Sequence, residues 1–181
     1  MIRKNEVKIL DCTFRDGGYY TNWDFSPDLI ARYLDAMKAA KVDAVELGFR
    51  FWANDGFKGA CAYTSDEFLR TLEIPSGLMV GVMLNASDIL VDSVLCEDRL
   101  EQLVPESACN TPLDLVRIAC HVHEFRAALP AATRLKEQGY YVGFNLMQVA
   151  DRSVQELEEL SQAVTAYPVD VLYFADSLGG M

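Results

Sequence analysis

The chain has 181 residues, 51% of them hydrophobic, and a formal net charge of −11. An apolar share of that size suits a buried core and argues against disorder, and no low-complexity tract interrupts it. The acidity excludes nucleic acid and anionic membrane as attracted partners, since both are polyanions, and leaves a small molecule as the expected one.

Five cysteines (Cys12, Cys61, Cys96, Cys109 and Cys120) form no CxxC pair and are odd in number. That is a reduced, intracellular pattern. The N-terminus lacks an apolar stretch of signal-peptide type, and no segment approaches the ~18 apolar residues of a membrane span. The expected location is the cytoplasm.

Residues 9–14 (ILDCTF) predict a first strand that ends at Arg15-Asp16. Gly17-Gly18 would then turn the backbone sharply and leave room for a ligand. Adjacent strand residues point to opposite faces, so Arg15 and Asp16 are not expected to pair with each other. Residues 28–41 have helical spacing, with Leu29, Ile30, Tyr33, Leu34 and Met37 on one face and Ser26-Pro27 as cap and first turn. A second strand, 43–49, carries Glu46 and ends near Arg50; a third, 78–84, ends at Asn85. The stretch 85–113 is irregular, broken by Pro105 and Pro112. The fourth strand, 114–121, leads to His121 and His123. A helix over 130–138 ends at Gly139. The fifth strand, 141–148, carries Asn145 and Gln148. The helix over 153–166 has Ser153 and Glu156 at capping-box spacing, and the sixth strand, 170–177, ends at Asp176-Ser177.

Six apolar runs, separated by segments with helical spacing and spaced roughly 30 residues apart, describe an α/β fold with a parallel sheet. Two architectures fit: an open doubly wound sheet, or a (β/α)8 TIM-type barrel of which this chain holds strands one to six. The first run lacks the GxGxxG turn of a dinucleotide-binding sheet. Polar residues gather at the ends of successive strands and would converge on one mouth, which favours the barrel.

DCTFRDGGYYTNWDF, then VELGFRF, VRIACH, GFNLMQ and ADSLGGM in that order, resembles the HMG-CoA-lyase-like superfamily of DRE-type metallolyases. That group includes 4-hydroxy-2-oxovalerate aldolase, HMG-CoA lyase and the pyruvate carboxyltransferase domain. The resemblance covers nearly the whole chain and implies a metal-dependent lyase or aldolase working on a 2-oxo acid or acyl-CoA-type substrate. Residue by residue, it implies that Asp16 binds a divalent metal, Mn or Mg, and that Arg15 stabilises an enolate. Glu46 is the expected partner that orients Arg15. Ser177 is implied to hold substrate and His121 to stand at the mouth where it would touch substrate or metal. Asn145, at the end of its strand, is expected to line the same mouth and contact substrate. A hard cation suits carboxylate oxygen, and a fixed guanidinium suits developing negative charge.

Two departures bear on the chemistry. The aldolase branch has a histidine three residues beyond the metal aspartate, and Tyr19 stands there; with a reference pKa of ~10 it is a weak base at neutral pH. The His-x-His of strand seven, which completes the metal site, is absent along with strands seven and eight; His121-x-His123 belongs to strand four. The single catalytic domain over 1–181 is therefore expected to be partial. It would be completed by a further part of a longer chain or by a second copy, and taken alone to bind metal weakly and be inactive. A Schiff-base aldolase would need a desolvated lysine at a strand end, and the lysines (4, 8, 38, 41, 58 and 136) lie elsewhere. The alternative from a different class is a non-catalytic binding domain derived from the barrel.

Overall fold

The computed structural model describes residues 7–54, 56–150 and 152–175. Its strands are β1 (Leu10–Asp11), β2 (Ala44–Phe49), β3 (Met79–Asn85), β4 (Leu90–Val91), β5 (Val94–Leu95), β6 (Leu115–Cys120), β7 (Tyr141–Met147) and β8 (Val171–Ala175). Six of them form one curled parallel sheet in the order β1-β2-β3-β6-β7-β8, while β4 and β5 make a small antiparallel hairpin. The helices are α1 (Thr13–Thr21), α2 (Pro27–Ala39), α3 (Asp66–Leu69), α4 (Ala86–Ile89), α5 (Glu97–Leu103), α6 (Val122–Ala128), α7 (Ala131–Glu137) and α8 (Val154–Val164). Each consecutive pair in the large sheet is parallel, with strand and helix alternating along the chain. This is a half-barrel.

Strand alternation divides the sheet into two faces. On one face, Val45, Leu47, Val80, Val82, Leu84, Val116, Ile118, Val142, Phe144 and Leu146 are fully buried in the apolar core beneath the helices. The register places a different set on the other face: Glu46 beside Gly81, Met83 beside Arg117, Arg117 beside Gly143, and Asn145 beside Tyr173. Two charged residues thus sit inside runs that otherwise read as uniformly apolar.

The helices follow their local signals. Ser26 accepts from the Leu29 amide at 3.3 Å, Pro27 opens α2, and the helix buries Ile30, Tyr33 and Leu34. Lys41, at φ 60°, stands just beyond it. Ser153 and Glu156 close the capping box of α8 at 2.9 and 3.2 Å. Gly139, at φ 94°, follows α7 in the left-handed region that glycine enters freely. The irregular stretch 85–113 resolves into α4, the hairpin, α5 and a 3-10 turn over Ala108–Asn110.

Candidate active site

The first strand is shorter than its apolar run predicts, and Arg15, Asp16, Gly17, Gly18 and Tyr19 lie in helix α1. The expected glycine turn is replaced by helix. The reason is Trp23, which is 5% exposed and packs closely against the Gly18 backbone. A Cβ on Gly18 would lie 1.9 Å from the indole ring, whereas one on Gly17 would meet nothing within 4 Å. The chain leaves α1 through Asn22 and Trp23, both at φ 54°, and so folds the indole back under the helix. There Trp23 Nε1 donates to the Arg15 carbonyl at 2.9 Å, which fixes the backbone that carries the site.

Helical geometry also overturns the expectation that Arg15 and Asp16 stay apart. Arg15 Nη1 pairs with Asp16 Oδ1 at 2.8 Å, and Arg15 Nε contacts the Glu46 carboxylate. The Arg15 side chain is 15% exposed and that of Asp16 62%. Burial, opposed by these carboxylates, leaves the Arg15 pKa raised overall. Tyr19, one turn along α1 from Arg15, is edge-on to Trp23 with ring centroids 4.9 Å apart. Burial pushes its hydroxyl above the ordinary tyrosine pKa, with Asp16 adding to the rise and Arg15 opposing it. At neutral pH Tyr19 is a proton-bearing hydroxyl, fit to donate a hydrogen bond.

Glu46, fully buried on β2, meets a second cation that the sequence reading passed over. Arg117 Nη1 lies 3.0 Å from both Glu46 oxygens and 3.3 Å from Cys12 Sγ, and its Nη2 donates to Asn145 Oδ1 at 3.0 Å. The guanidinium lies over the Tyr173 ring, 4.3 Å from its centroid. Burial and Glu46 push the Cys12 thiol up to about 11, so it is not a thiolate at neutral pH. The signal for Arg117 was available: an arginine in the middle of LVRIAC, whose six residues are all buried, must have a partner.

The remaining strand-end residues divide. Arg50 is not at the mouth: it is 3% exposed and donates to Asp66 Oδ1 at 2.8 Å, to the Leu103 carbonyl at 2.8 Å and to the Thr64 carbonyl at 3.1 Å. Its role is to clamp loops. Asn85 Nδ2 donates to Asp88 at 3.2 Å within the turn to α4. His121 and His123 stack at 5.6 Å and, with Met147, Gln148 and Arg152, line a cleft beyond the ends of β6 and β7. The His121 amide donates to Glu124 at 2.9 Å, which starts α6 and places His123 in its first turn. Ser177 lies outside the described residues. Arg15, Asp16, Tyr19 and Glu46 are therefore brought together, and Asn145 joins them through Arg117.

Among the described residues no three His, Cys, Asp or Glu side chains converge as a metal cage. Asp16 is 62% exposed beside Arg15 and Glu46 is taken by two arginines, so Asp16 would supply one ligand of a divalent ion and the described residues do not complete the set.

No protein-family model matches the chain. Over its whole length it is 28% identical to a 4-hydroxy-2-oxovalerate aldolase from Pelotomaculum thermopropionicum, of which it covers 51%. Over 96% of its length it is 24% identical to an oxaloacetate decarboxylase from Mycobacterium tuberculosis, of which it covers 49%. The chain spans about half the length of the curated relatives it matches. Its fold matches the N-terminal domain of a candidate aldolase from Bacteroides vulgatus with a TM-score of 0.70 and 28% identity, over 91% of this chain and 62% of that one. These similarities agree with the resemblance to the HMG-CoA-lyase-like superfamily drawn from the sequence. Bacillus subtilis HMG-CoA lyase matches all of this chain and 61% of its own, with a TM-score of 0.69 at 10% identity, which supports the TIM-barrel fold alone. The half-barrel corresponds to the N-terminal part of that fold.

Proposed function

We propose that the protein is a carbon–carbon lyase or aldolase acting next to the carbonyl of a 2-oxo acid or acyl-CoA-type substrate, with a divalent metal, Mn or Mg, as cofactor. One observation carries the reading: Arg15 is held by Asp16 on one side and buried Glu46 on the other, in a chain similar to 4-hydroxy-2-oxovalerate aldolases. In the cleavage of a 4-hydroxy-2-oxo acid, the 4-hydroxyl loses its proton, the C3–C4 bond breaks and an aldehyde leaves. The bonding pair passes into the enolate of the remaining 2-oxo acid, which then takes a proton at C3. A guanidinium held beside that enolate stabilises charge as it develops; losing one such donor costs about 10²–10³-fold in rate. Tyr19 donates a hydrogen bond, Asn145, His121 and Ser177 contact substrate, and Asp16 is the metal ligand that the resemblance assigns.

Barrel completion, by further strands or by a second copy, belongs to the same proposal, because β1 and β8 each have one neighbour among the described residues and open edges invite pairing. A cytoplasmic setting is proposed with it; among the described residues no helix is long and apolar enough to cross a membrane. The test is turnover of 4-hydroxy-2-oxovalerate by the purified protein with its barrel completed and with Mn or Mg, read as pyruvate released. Cleavage that is lost in Arg15→Met supports the reading. No cleavage of any 2-oxo acid or acyl-CoA offered would leave the non-catalytic binding domain in its place.

A further inference from the structure

Arg117 is 4% exposed, and a buried cation needs partners; its Nη1 and Nη2 have them, while its Nε donates to nothing. Its partners come from three other strands: Glu46 on β2, Asn145 on β7 and Tyr173 on β8. Space for it is made by Gly143, where a Cβ would lie 3.0 Å from Arg117 Cγ and 3.2 Å from the Tyr173 ring. The arrangement is built around one guanidinium.

We propose that Arg117 is a positioning residue that aims both Arg15 and Asn145, a role that rests on the lyase reading above. Its Nη1 sits 3.0 Å from each Glu46 oxygen, so it clamps the carboxylate across its width. The terminal torsion of a glutamate is otherwise broad and roughly two-fold. Clamped this way, Glu46 keeps a fixed edge toward Arg15 Nε, and the enolate-facing guanidinium inherits that orientation. At its other end, Arg117 Nη2 donates to Asn145 at 3.0 Å. A guanidinium has donors and no acceptor, so it selects the amide oxygen and turns the Nδ2 donors of Asn145 away from itself. One cation thus sets the direction of a charge on β2 and of a donor pair on β7.

The test compares Arg117→Met, Arg117→Lys and Arg15→Met with the unaltered protein in the cleavage assay, well below each melting temperature. A misplacement on the order of 1 Å costs about 10²-fold, so Arg117→Met is expected to lose about that much kcat, with a smaller change in KM. Arg117→Lys keeps a charge for Glu46 but cannot bridge to Asn145 in the same fork, so it should regain melting temperature more fully than kcat. A readout independent of turnover is the ¹⁵N-labelled Arg15 Nε–H resonance, which is buried against Glu46 and should broaden in Arg117→Met. An unchanged kcat and an unchanged Arg15 resonance in folded Arg117→Met would overturn the proposal. Undiminished turnover in Arg15→Met would instead remove the enolate role of Arg15, and no turnover by the unaltered protein would sink the lyase reading. In either case the resonance would still decide the role of Arg117.

Discussion

Replacing the two adjacent glycines of α1 one at a time should shift stability in opposite directions. At Gly18 the new methyl would lie 1.9 Å from the Trp23 ring, so the indole must move by more than an ångström. Overpacking of that kind costs about 1–3 kcal/mol, and losing the Trp23–Arg15 hydrogen bond adds about 1 kcal/mol. Gly18→Ala should therefore destabilise by about 2–4 kcal/mol. At Gly17 the methyl enters open space, and alanine is favoured over glycine inside a helix by about 0.5–1 kcal/mol. Gly17→Ala should be neutral to stabilising by that amount. Equilibrium urea unfolding, followed by far-ultraviolet circular dichroism, measures both. If Gly17→Ala destabilises as much as Gly18→Ala, the segment is a glycine turn and the helix assignment is wrong.

Arg50→Met should strand the buried Asp66 carboxylate and cost about 3–5 kcal/mol in urea unfolding, while kcat per folded molecule stays unchanged. Stability should also fall steeply at high pH: Cys12 is held up to about 11, and Cys61, Cys120 and Tyr140 up to about 12, mainly by burial. Each is more readily deprotonated in the unfolded chain, so the stability they confer is complete below about pH 9 and lost as pH rises toward 12. Urea midpoints at pH 8, 10 and 11 would show it, and a flat profile would contradict it. The same burial predicts that brief alkylation at pH 8, read by mass spectrometry, marks exposed Cys109 well before Cys61 or Cys120.

How much the sequence could say depended on which interaction governed each segment. Apolar runs buried on both faces, such as Ala44–Phe49 and Leu115–Cys120, announce themselves because local composition and tertiary role agree. The capping signals at Ser26 and Ser153 likewise act within a few residues. The opening motif was misread as geometry. Two glycines in a row favour a turn by local preference, and that is overridden by Trp23, whose indole requires a bare backbone at Gly18. Arg50 looked like a mouth residue because polar strand ends face solvent by default; its partners at Thr64, Asp66 and Leu103 lie 14, 16 and 53 residues away. Arg117 and Glu46 are 71 residues apart. No local pattern pairs them, although one buried charge in each of two apolar strands was a hint that they meet.

The central claim is that Arg15 stabilises an enolate, and proton exchange tests it without any demand on the leaving aldehyde. The purified protein with its barrel completed, given Mn or Mg and pyruvate in D₂O, should replace the methyl protons of pyruvate with deuterium, followed by proton NMR. Arg15→Met should slow that exchange by about 10²–10³-fold. Exchange at the same rate in Arg15→Met would contradict the account.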